Sequence, residues 1–142
     1  VGFGGASKLF LIEFSMPNTA QPDQPAIWFL NGQIPRVGQY LTGNCWSSGC
    51  GEMDIFEVLS NGSNYLIPTV HAQFHGGFND FFVRPTDIST KAAILMNDNN
   101  VIIQILPAQF QISSSISAAQ IQQLQLNSDW GSMNMASLKL VS

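Results

Sequence analysis

The chain has 142 residues and a net charge of −4, and only 10% of its side chains are charged while 45% are hydrophobic. That balance excludes disorder, and the acidic sign excludes a nucleic-acid partner that needs a basic patch. No run of about 18 apolar residues occurs, so no membrane span is expected, and residues 1–142 are long enough for one domain with a real core. Val1 is not an initiator Met and nothing near it reads as a leader, so a soluble, processed chain is expected.

Val1 to Ala6 is glycine-rich and loop-like, and Leu9–Phe14 reads as a strand that ends before Met16-Pro17. Pro22 and Pro25 mark the next tract as a surface loop. Ala26–Asn31 is a second strand, with Trp28 and Leu30 on one face and Ile27, Phe29 and Asn31 on the other. One face must meet the cleft. Trp28 by itself reads as a core residue, because large aromatics supply much of a core's buried area. Pro35 interrupts regular structure between Gln33 and Tyr40, where Arg36 is either a solvated loop charge or a donor to a ligand.

Cys45 and Cys50 enclose four residues. That loop is closed by a disulfide in an oxidising compartment and otherwise holds two thiols. With no second cysteine pair, a structural zinc site is not expected. Trp46 lies inside this loop, where a small constrained ring of backbone would fix the indole as a stacking platform at a cleft edge.

The stretch Gly51–Val58 then places Glu52, Asp54 and Glu57, three of the nine acids, within six positions among Met53, Ile55, Phe56 and Val58. Ionised groups in such surroundings are costly unless water or a ligand reaches them. In a regular strand Glu52 and Asp54 share one face and Glu57 takes the other. One inserted residue, a β-bulge near Ile55 or Phe56, puts all three acids on one surface, and bulges are frequent beside active sites. Two carboxyl groups brought to about 5–5.5 Å suit a retaining glycosidase. The alternative is a helix, in which Met53, Phe56 and Leu59 form a stripe and Asn61-Gly62 a C-cap.

Asn61-Gly-Ser-Asn64 reads as a turn and holds the chain's glycosylation sequon, a weak sign of secretion. Tyr65 to Phe74 reads as an extended run in which Val70, Ala72 and Phe74 share one face and His71, Gln73 and His75 the polar one. On one extended strand His71 and His75 would be about 13 Å apart, so no ion could take both, and neither a metal nor a cofactor is expected. Phe78–Pro85, Ala92–Met96 and Val101–Leu106 complete the β-rich part, the last two joined as a hairpin through Asn97-Asp-Asn-Asn100. Val101–Leu106 is an aggregation hazard if it forms an exposed edge. Ser117-Ala-Ala-Gln120 fits a capping box opening a helix that carries Ile121 and Leu124 on one stripe, and Met133–Val141 reads as a final strand.

Glu52-Met-Asp-Ile-Phe-Glu57 resembles the Glu-x-Asp-x-x-Glu signature of glycoside hydrolase family 16. Lys8–Pro17, Gln24–Arg36, Asn44–Cys50 and Thr69-Val-His71 are similar, in that order, to a fungal cell-wall branch called Tos-type glycosyl hydrolases. The resemblance implies an all-β, concanavalin-like jelly-roll β-sandwich, shortened at its N-terminal side, with one short peripheral helix. It implies a retaining endo-β-glucanase acting on cell-wall β-1,3 or mixed-linkage glucan, with Glu52 as nucleophile, Glu57 as acid and base, and Asp54 between them. Asn31, Trp46, His71, Gln73, Trp28 and Arg36 become the candidate sugar contacts, and the location secreted, extracellular or cell wall. A shortened fold also implies a homo-oligomer or a partner chain completing the sheet. A non-catalytic lectin or a structural wall protein on the same fold is the alternative function.

Overall fold

The computed structural model describes residues 2–5, 7–21, 23–32, 50–72, 75–77, 81–97, 100–126 and 135–139, with the backbone alone at 50, 75–77, 123, 125–126 and 135–139. Strict alternation along β1 (Lys8–Phe14) sends Phe10, Ile12 and Phe14 to one core and Leu9 and Leu11 to another. The strands that follow are β2 (Ala26–Leu30), β3 (Cys50–Glu57), β4 (Tyr65–Leu66), β5 (Thr69–Ala72), β6 (His75–Gly77), β7 (Phe82–Val83), β8 (Thr90–Asn97) and β9 (Asn100–Leu106). Helix α1 (Ala118–Leu126) and strand β10 (Met135–Lys139) close the order.

Two four-stranded antiparallel sheets result, β1-β8-β9-β10 and β2-β3-β5-β6, with a two-stranded β4-β7 pair beside them. The inner faces meet through Ile55, Phe56 and Val70 of one sheet and Ala92, Ile94, Val101 and Ile103 of the other. Aromatic rings bridge the layers, Phe10 on Phe29 and Phe14 on Phe56, each with centroids 4.8 Å apart. Among the described residues this is the all-β sandwich with one short helix that the resemblance implies.

Strands β8 and β9 are apolar on both faces because both are covered. The outer face takes α1, whose Leu124 packs with Ala93 and Leu106. The helix starts where the capping box puts it: Gln120 N–H donates to Ser117 Oγ at 3.2 Å, and Ser117 N–H to Gln120 Oε1 at 2.9 Å. The β8–β9 hairpin is also present, paired from Lys91↔Leu106 to Asn97↔Asn100. Strand β9 lies between β8 and β10, so Val101–Gln104 is paired on both sides and is not an edge.

Two expectations fail. The run from Tyr65 to Phe74 is not one strand: it breaks at Ile67 and Pro68, where Ile67 N–H turns to donate to the Glu57 carbonyl at 2.8 Å. Beyond the break, β5 and β6 fold back as a hairpin with His71 opposite His75. Within Phe78–Pro85, Phe82 and Val83 form the strand, and residues 78–80 lie outside the described residues.

One buried cation fixes the approach to β2. Arg84 is 2% exposed. Its Nε donates to the Met16 carbonyl at 2.7 Å, and its Nη2 to the Pro17 carbonyl at 2.8 Å and to both Asp23 oxygens at 3.0 Å. The segment so held leads into Ala26, the β2 residue that pairs with Glu57.

Candidate active site

Strand β3 lies between β2 and β5, so Glu52 and Asp54 stand on backbone held by ladders on both sides, whereas Glu57 is paired with Ala26 of β2 and its carbonyl accepts from Ile67 N–H. Toward β2 the register runs Ala26↔Glu57 and Ile27↔Phe56, then steps to Trp28↔Asp54 and Leu30↔Glu52. Ile55 is the extra residue, so the octapeptide is a bulged strand and not a helix. The step changes parity. Met53, Ile55 and Phe56 join the core, while Glu52, Asp54 and Glu57 occupy the opposite face.

A second register step falls at Gly51, between Cys50↔Ala72 and Glu52↔His71. Gly51 has φ of 92°, a conformation that favours glycine, and a Cβ built there would stand 3.3 Å from the Asn31 Cβ. Asn31 N–H donates to the Gly51 carbonyl at 2.8 Å, which sets Asn31 beside the start of the acid run. Asn31 also lines two cavities, one of about 260 Å³ shared with Glu52 and one of about 440 Å³ shared with Trp28 and Lys8.

His71, on β5, brings its Nε2 to 3.3 Å from Asp54 Oδ2. The ligand atoms of Glu52, Asp54 and His71 all lie within 4.8 Å of one another. Glu52 and Asp54 are 4% and 3% exposed, whereas Glu57 is half-buried. Burial, followed by the charges of Glu57 and Glu52, pushes the Asp54 carboxyl from 3.8 up to about 7. Burial also raises Glu57, opposed by the nearby imidazole of His71 and reinforced by Glu52. The cost of placing acids among apolar residues is thus met at Asp54 by keeping its proton.

Trp28 departs from its core reading. It is 40% exposed and pairs with Asp54, because Ile27 and Phe29 take the inward positions of β2. The spacing that separated His71 from His75 also fails, since their backbones are partners across the β5–β6 hairpin. Arg36, Cys45, Trp46 and Gln73 lie outside the described residues, and Cys50 is described by its backbone alone, so the expected Cys45–Cys50 pairing lies outside them as well. Thr69 joins the acid face by pairing with Asp54, a neighbour that no spacing along one strand could reveal. Among the described residues, no helix is long and apolar enough to cross a membrane.

The family model described as cell wall protein YJL171C/Tos1, C-terminal, matches residues 1–124. The chain is 43% identical over 129 residues to "Probable circularly permuted 1,3-beta-glucanase TOS1" of Saccharomyces cerevisiae, covering 86% of this chain and 28% of that protein. It is 40% identical over 131 residues to the protein of the same name from Candida albicans, covering 81% of this chain and 28% of that protein. A Schizosaccharomyces pombe relative, also named a probable circularly permuted 1,3-beta-glucanase, is 40% identical over 137 residues, covering 84% of this chain and 27% of its own length. The chain therefore spans little more than a quarter of the length of these three relatives. No solved structure matches it. A family match over most of its length and relatives at this level of identity place the chain in the YJL171C/Tos1 family of fungal cell wall proteins, as a counterpart of their C-terminal part.

Proposed function

We propose that this chain carries the catalytic acids of a retaining endo-glucanase of the glycoside hydrolase family 16 type, acting on β-1,3-linked or mixed-linkage glucan of the fungal cell wall. The observation that carries the reading is the bulge at Ile55, which gives Glu52, Asp54 and Glu57 a common face on a central strand. The substrate class and the wall location rest on the names that the family and its relatives bear. Residues 1–142 act as one domain in this reading, secreted to the wall and closed at residues 45–50 by a disulfide.

The Glu52 carboxylate attacks the anomeric carbon, the glycosidic carbon–oxygen bond breaks, and the Glu57 carboxyl proton passes to the departing oxygen. Water then attacks the glycosyl–Glu52 ester, Glu57 takes the water's proton, and Glu52 is released with the anomeric configuration retained. Glu57 starts the cycle protonated, which its raised pKa favours. Asp54, protonated up to about 7, subtracts one negative charge between the two and offers a hydrogen-bond donor beside the nucleophile. Trp28 and Asn31 take the sugar rings next to the acids.

The test is release of reducing ends from a soluble β-1,3-glucan, with the anomer of the first product read by NMR. The expected result is turnover with retention, lost in Glu52→Gln while circular dichroism stays that of the folded chain. Inversion overturns the mechanism. Glucan binding without any release overturns the hydrolase reading in favour of a non-catalytic sugar-binding protein, and self-assembly with no glucan binding favours a structural wall component.

A further inference from the structure

We propose that Glu52, Asp54 and His71 form a binding site for a divalent transition ion of the zinc type. Two of the three ligand atoms already stand where such an ion would hold them. Ligands about 2.0–2.1 Å from a tetrahedral centre are about 3.3–3.4 Å from one another, and Asp54 Oδ2 lies 3.3 Å from His71 Nε2. A charge-assisted hydrogen bond would draw that pair to about 2.7–2.9 Å. Asp54 Oδ2 is buried and accepts no hydrogen bond among the described residues, on a side chain that is 4% exposed and aimed at the imidazole. The Glu52 oxygen, within 4.8 Å of both, needs a side-chain adjustment of roughly 1 Å or more to complete a triangle of that edge.

The donor set selects the ion. One imidazole and two carboxylates suit zinc and its neighbours, whereas calcium and magnesium prefer all-oxygen shells with more ligands. The ligands come from the paired central strands β3 and β5, where register holds Glu52 opposite His71, and such elements place ligands more reproducibly than loops do.

The proposal stands apart from the glucanase reading, because ion binding is measured with no glucan present. Isothermal titration of the folded chain with zinc chloride, in a weakly coordinating buffer near neutral pH, should show one site with Kd of about 10 µM or tighter. Affinity should fall about 10-fold or more in His71→Gln and in Asp54→Asn, and stay within about twofold in Asp87→Asn, an exposed acid outside the site. Where a variant does not fold, cobalt(II) added to the unsubstituted chain gives the answer, through visible bands of a tetrahedral nitrogen and oxygen site with no thiolate charge transfer. Absence of a heat change with zinc, equal affinity in the folded His71→Gln and Asp54→Asn chains, or octahedral cobalt bands would overturn the proposal. If the chain cleaves glucan, zinc at site-saturating concentration should abolish cleavage by occupying Glu52.

Discussion

Asp54 reaches His71 diagonally: the ladder pairs His71 with Glu52 and Asp54 with Thr69, yet Asp54 Oδ2 is the atom found 3.3 Å from His71 Nε2. The imidazole does not keep Asp54 ionised: burial, then the charges of Glu57 and Glu52, push the carboxyl up to about 7. In the unfolded chain this carboxyl returns to 3.8. Between those values the folded chain binds a proton that the unfolded chain has lost, so on this account stability falls as pH rises from about 4 to about 7, with the full cost present above 7. Asp54→Asn removes that cost. Its unfolding free energy relative to the parent should rise by roughly 2–4 kcal/mol between pH 4 and pH 8, read from urea melts at both. An offset independent of pH would show that Asp54 titrates normally.

Glu52 and Glu57 are both carboxylates on one face, Glu52 the more deeply buried, and chemistry separates their roles. Glu57→Gln removes the proton donor and leaves the nucleophile. Cleavage of unactivated glucan should fall about 10²- to 10⁴-fold, while an aryl glycoside whose leaving group needs no proton should still release its phenol in a first-turnover burst. Added azide should then restore turnover by attacking the glycosyl–enzyme ester in place of activated water. Glu52→Gln should show neither burst nor rescue as a β-glycoside. Identical behaviour of the two variants would remove the division of roles.

Much of the site could be read from the sequence because parity is a one-dimensional property. Three acids spaced two and three apart in an apolar strand demand one inserted residue, and Ile55 is that residue. The capping box and the β8–β9 hairpin were legible for the same reason, being set by residues a few positions apart. Cross-strand facts were not. Alternation from Thr69 to His75 runs unbroken through the β5–β6 reversal, so a strand and a hairpin look alike there until the register is known. Arg84 has a sequence signal too, a cation between Phe82-Val83 and Pro85 in a chain with five cations, but its burial depends on partners more than 60 positions away.

Trp28 tests how far the acid face extends along β2. The residue is 40% exposed and borders the cavity of about 440 Å³ that also meets Asn31. Stacking on an aromatic face is worth about 0.5–1.5 kcal/mol. Trp28→Ala should therefore weaken glucan oligosaccharide binding roughly 2- to 10-fold, with a thermal midpoint nearly unchanged because the inward positions Ile27 and Phe29 remain. Titration calorimetry with glucan oligosaccharides checks the first and differential scanning the second. A large loss of stability with unchanged binding would return Trp28 to the core.

Arg84 lies away from the acids in the chain and bears on them through the backbone. Its guanidinium spends Nε on Met16 and Nη2 on Pro17 and Asp23, three residues along the segment that delivers Ala26 to its partner Glu57. Arg84→Ala leaves the buried Met16 carbonyl, the Pro17 carbonyl and the partly exposed Asp23 charge without their donor, and should cost about 3 kcal/mol, the low end for a broken buried pair. Arg84→Lys keeps the charge but cannot offer separate donors from Nε and Nη2, so it should recover only part of the loss. Asp23→Asn isolates the ion pair: with Asp23 27% exposed, its removal should cost less than loss of the cation. Urea melts of the three variants give the order Ala, Lys, Asn from most to least destabilised. The Arg84→Lys chain, folded at low temperature, should also lose glucan turnover through a lower kcat, because the β2 end that pairs with Glu57 is then less firmly placed.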